Sequence, residues 1–133
     1  VPDLTIKIAT DRGYDETVAL VRAELGEVGF GVLTEIDVQA TLKAKIDVDV
    51  DSQIILGACR PQLAHAAMQA DPSIAAMLPC NVVVRSVGDQ TVVEAFDPMA
   101  MTAMSPEAPK ALHDIAQDAR QRLTAALETV RTA

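Results

Sequence analysis

The stretch "CNVVVRSVGDQTVVEAF", residues 80–96, decides the fold. Two apolar, β-branched runs, residues 80–87 and 91–96, flank Gly88-Asp89-Gln90, and this pattern predicts a hairpin of two antiparallel strands. Upstream, "QIILGAC" (53–59) is apolar on both faces and reads as an interior strand. Pro61 suits the first position of the helix that follows, where a missing N–H costs nothing. "DPSIAAML" continues as a short helical or turn segment, and "LTIKIA" (4–9) alternates as a strand. A helix then starts after a cap at Gly13, with Tyr14, Val18, Val21 and Leu25 on its buried stripe and Gly26 as its stop. "GFGVLTEI" (29–36) is expected to be a strand with Phe30, Val32, Thr34 and Ile36 on one face. Asp37 is the N-cap of a short helix carrying Val38, Leu42 and Ile46. "DPMAMTAMSPEAP" (97–109) reads as a linker. From Lys110 to Arg131 a long amphipathic helix runs, with Leu112, Ile115, Ala119, Leu123, Leu127 and Val130 on one stripe.

The resulting order is strand, helix, strand, short helix, strand, short helix, hairpin, long helix. Strict alternation would imply a parallel doubly wound sheet. The hairpin and the short middle helices oppose that, and "ATDRGYDET" (9–17) has one glycine where a dinucleotide fold needs a Gly-rich loop. The expected class is therefore α+β, a mainly antiparallel sheet of about five strands with helices on one face.

At 133 residues the chain fits a single domain (1–133) able to bury one core without disulfides. Half the residues are hydrophobic but only 2% aromatic, so the core must be aliphatic. Eleven Lys and Arg against 19 Asp and Glu give a net charge of −8, which repels phosphate backbones and anionic lipid. Nucleic acid and membrane are not expected partners, and no apolar run approaches the ~18 residues of a membrane span. Two cysteines outside CxxC spacing point to a reducing cytoplasm, while the missing initiator Met leaves room for a removed signal peptide.

Chemistry would concentrate where "GACRPQLAHAAM" (57–68) leaves the interior strand. If that strand neighbours the next, Cys59 ends one and Cys80 begins the other at the same end of the sheet, with His65 on the segment between. Two thiolates and an imidazole are a soft ligand set for zinc, copper or haem iron, to which Met99, Met101 and Met104 would add thioethers for Cu(I). Alternatively Cys59, just before a helix start and next to Arg60, is a reactive thiol with His65 as its base. Against both, free cysteine behaves as a small buried hydrophobe and Met as a gap filler, and His65 shares a polar stripe with Gln62 and Gln69. His113 reads as a surface histidine. Glu35 and Asp37 share a face as a possible acid pair, though Asp37 already caps a helix. Arg85 and Glu94 are placed to pair across the hairpin. Asp47, Asp49 and Asp51 lack the glycine and terminal glutamate of a calcium loop and read as solvated.

"GFGVLTEIDVQATLKAKI" (29–46), "ILGACRPQLAHAAM" (55–68), "LPCNVVV" (78–84), "VVEAFDPMAM" (92–101) and the final helix, in this order, resemble a prokaryotic family, domain-of-unknown-function family 302. Arg60 departs from the polar Asn expected there. The resemblance implies a β-α-β(4)-α core similar to TATA-binding-protein-like folds, with two short inserted helices, and a homodimer. It implies no reaction. Three readings follow: a homodimeric binding protein holding a metal, haem or other small ligand near Cys59, His65 and Cys80; a thiol-dependent enzyme with Cys59 as nucleophile; and a structural or partner-binding domain without cofactor.

Overall fold

A computed structural model describes residues 2–133. Five strands form one antiparallel sheet: β1 (Thr5–Thr10), β2 (Gly31–Asp37), β3 (Gln53–Cys59), β4 (Cys80–Val87) and β5 (Gln90–Phe96), in the order β1-β5-β4-β3-β2. The hairpin holds the centre of it. Val87 pairs with Gln90, and Gly88, with φ of +60°, takes the first turn position that a right-twisted two-residue connection requires.

Pairing carries side chains in rows across the sheet. Ile6, Ala95, Val82 and Leu56 make one row, and Ile8, Val93, Val84 and Ile54 the next. Both rows face the helices α1 (Tyr14–Glu27) and α5 (Lys110–Thr132), which supply Val21 and Leu25, and Leu123, Leu127 and Val130. The aliphatic composition thus becomes a two-layer core of interlocking branched side chains, with helices on one face of the sheet. On the opposite face Glu94 accepts hydrogen bonds from Thr5 Oγ1 at 2.5 Å and Arg85 at 2.8 Å, the cross-hairpin pair expected from sequence.

Smaller helices fill the connections: α2 (Val38–Ile46), α3 (Pro61–Ala70) with a 3₁₀ turn (Pro72–Met77), and α4 (Met99–Met104). Asp37 caps α2 as expected, its Oδ1 accepting from the Ala40 N–H at 2.9 Å. The acidic loop behind α2 is solvated, and Lys43 pairs with Asp47 and Asp49.

Three expectations are corrected. Helix α1 stops at Gly29 rather than Gly26. Gly29 has φ of +84°, its N–H reaches Gly26 O, and Phe30 N–H reaches Leu25 O at 2.8 Å, a paired closure of the last turn. Strand β2 does not keep one face, because a bulge between Val32 and Thr34 inserts Leu33. Beyond it Thr34 and Ile36 turn to the opposite side, and Glu35 comes round to meet Arg22 of α1. The supposed linker contains α4, because Asp97 Oδ1 caps the Met99 N–H at 2.9 Å and the Met- and Ala-rich run behind it favours helix.

Candidate functional site

Strands β3 and β4 are antiparallel neighbours, so Cys59 and Cys80 do lie at the same end of the sheet. Register pairs Cys80 with Ala58, which sets the two cysteines diagonally rather than opposite each other. Both are free, and both line a cavity of about 160 Å³. Phe30, Ala58 and Cys80 form its floor. Leu63, Ala64 and Ala67 of α3 make one wall, and Met101 and Thr102 of α4 a second. Leu112, Ile115, Ala116 and Ala119 of α5 close it from above, with Ile74 and Leu78 behind. Ser73, Met77 and Ser105, all exposed, mark its mouth.

Sequence explains these walls. The N-terminal half of α5 cannot reach the sheet rows that its C-terminal half covers. Its apolar stripe therefore packs on a second, smaller cluster built around Ala67, Ile74 and Leu112. The cavity lies between that cluster and the main core. Two polar side chains of the lining are engaged locally: Thr102 Oγ1 donates to Met99 O at 2.8 Å, and Asp71 accepts from the Ser73 N–H at 3.0 Å. Arg60 runs alongside the positive-φ Gly29, where a Cβ would stand 3.0 Å from its Nε.

His65 is not part of this arrangement. Helix α3 turns Leu63, Ala64 and Ala67 inward, which leaves His65 exposed on the outer side with Gln62 and Gln69. Among the described residues no group of three or more His, Cys, Asp or Glu is placed to hold a metal ion. The methionines do not converge either: Met101 faces the cavity, whereas Met104 is 61% exposed. His113 lies half-buried on α5 outside the cavity lining, and Glu35 and Asp37 are occupied by Arg22 and by the cap of α2.

The thiols are held neutral. Burial pushes the Cys59 thiol up, and burial followed by the charge of Cys59 pushes Cys80 up to about 11. An activated nucleophile or thiolate ligand requires the opposite shift. The site can enclose a small molecule against apolar walls and two protonated thiols.

The family model described as "Domain of unknown function DUF302" matches residues 6–130. A crystal structure of an uncharacterized conserved DUF302 protein from Bacillus stearothermophilus is similar with a TM-score of 0.88 and 28% identity, over 96% of this chain and 98% of that chain. No curated protein matches.

Proposed function

From the premise that the chain belongs to the DUF302 family, whose name assigns no activity, we propose that it is a binding protein for a small, mainly apolar molecule held in the cavity beside Cys59 and Cys80. The observation that carries this reading is the cavity itself, about 160 Å³ and lined mainly by apolar side chains. Apolar cavities of about 150 Å³ stay dry and take up benzene-sized guests. Most cofactor pockets span roughly 300–1,000 Å³, so the volume favours a single ring or short chain over a porphyrin. Two neutral thiols without an imidazole are likewise a poor donor set for zinc or copper.

Titration with toluene and indole, followed by amide chemical shifts, tests the reading. Shifts should localise to α3, α4 and the first half of α5, and Ala116→Phe, which fills the space, should abolish them while far-UV circular dichroism stays native. Shifts confined to other surfaces, or unchanged in Ala116→Phe, would falsify it.

The homodimer is proposed on a separate observation. Leu33, Ile36, Ile46 and Val48 are 67%, 50%, 62% and 41% exposed, and all belong to the edge strand β2, to α2 or to the loop behind it. An apolar sheet edge of this kind is a pairing surface unless covered. Lys45 and Asp51 flank it without ion-pair partners among the described residues, and a twofold would bring such opposite charges together. Sedimentation equilibrium should give a dimer that Leu33→Glu with Ile46→Glu converts to monomer; a monomeric wild type removes the proposal.

A further inference from the structure

We infer that the molecule bound in the cavity carries a carboxylate, held by Arg60, with its apolar body behind; this rests on the binding reading above. The observation is an accounting of cations. Six arginines each have an acidic partner: Arg12 with Glu16, Arg22 with Glu35, Arg85 with Glu94, Arg120 with Asp97, Arg122 with Asp118 and Arg131 with Glu128. Arg60, the seventh, has neither an ion pair nor a side-chain hydrogen bond among the described residues, in a chain with 19 acidic residues to choose from. It is also the arginine that lines the apolar cavity.

Its surroundings do not supply the missing partner. Asp71 is the one acidic residue of the lining, and its carboxylate caps the following 3₁₀ turn through the Ser73 N–H. Arg60 is half-buried, and its stem lies against Gly29 where any other residue would crowd it. A guanidinium remains charged at every physiological pH and presents five N–H donors in a planar fork that matches a carboxylate. Partial burial beside apolar walls strengthens such a charge-assisted pair over one in open water. One guanidinium balances one negative charge. A monoanionic carboxylate therefore fits, whereas a phosphate dianion would leave surplus charge near Asp71 in a molecule already at −8. With about 160 Å³ for the remainder, the ligand class is a short-chain or single-ring carboxylic acid.

The test compares benzoate and hexanoate with benzamide and hexanamide, which have nearly the same shape and no charge, by calorimetry at pH 7 and low salt. Wild type should bind each acid about tenfold or more tightly than its amide. Arg60→Gln should lose that preference while binding the amides unchanged, and Arg60→Lys should keep part of it. Equal affinity for acid and amide in wild type, or a preference that survives Arg60→Gln, overturns the assignment to Arg60 and leaves the cavity reading intact. Absence of binding for both members of each pair, or binding that persists in Ala116→Phe, overturns both.

Discussion

Gly57 sits where β2, β3 and the approach to β4 press together: a Cβ there would lie 2.1 Å from Thr34 Oγ1 and 2.8 Å from Pro79 Cγ. Thr34 is an exposed side chain able to rotate away, but the proline ring is not. Gly57→Ala should therefore cost roughly 1–3 kcal/mol in urea unfolding, the usual range for overpacking. Thr34→Ala in the same chain should restore only part of it. Cys80 gives a pH signature. Its folded pKa of about 11 lies above the unfolded value, so the stability it contributes is fully present below about pH 8.5 and is lost as pH rises towards 11. Alkaline unfolding of wild type should thus be steeper across this window than that of Cys80→Ala. Native Cys80 should also resist iodoacetamide at pH 8, where roughly one thiol in a thousand is ionised. Single residues were legible from sequence where chemistry is local: the Asp37 cap and the Arg85–Glu94 pair needed only their neighbours along a helix or across a hairpin. The isolation of Arg60 was not legible. Arg12, Arg122 and Arg131 pair within four residues along the chain and Arg85 across the hairpin, but Arg22 and Arg120 find Glu35 and Asp97 only through the fold. Sequence could not say that Arg60 finds no such partner among the described residues.

Among the elements, α4 shows how one side chain builds a wall. Asp97, only 14% exposed, spends Oδ1 on the Met99 N–H and Oδ2 on Arg120 Nε at 3.0 Å, so it starts α4 and ties it to α5. Asp97→Ala removes both contacts and should cost about 1–2 kcal/mol. Asp97→Asn retains a capping oxygen and should lie between the two, as thermal denaturation would show. A near-native Asp97→Ala would mean that packing alone positions α4. The hairpin, β3 and the stripe of α5 were readable because their patterns run unbroken for many residues. The bulge in β2 was hidden because Phe30, Val32, Thr34 and Ile36 can be read at every second position as one face, and only pairing with β3 reveals the extra residue. Helix α4 was hidden because Pro98 and Pro106 bracket it like a linker, while its helical character lies in six residues.

For the whole molecule, a strongly acidic chain has placed on its apolar cavity the one arginine without an acidic partner among the described residues, and that coincidence appears only in three dimensions. Composition told us that the core must be aliphatic, and the hairpin that the sheet is antiparallel. Neither could reveal that the apolar residues divide into two clusters, since α3, α4 and the front of α5 look in sequence like more of the same core. No helix among the described residues is long and apolar enough to cross a membrane. The two-cluster division has a dynamic consequence. The main core, shared by the sheet, α1 and the back of α5, has fifteen buried residues, whereas the smaller cluster in the shell over the cavity has three, Ala67, Ile74 and Leu112. Regions with few buried contacts open at lower free energy than the global transition. Amide hydrogens of α3 and α4 should therefore exchange with solvent deuterium well before those of β4 and β5, and an occupied cavity should slow the first group and leave the second unchanged. Uniform exchange across both groups would show a single cooperative unit. If the rates do separate, guests enter by local breathing of the shell, and the rate of that breathing sets how long each one stays.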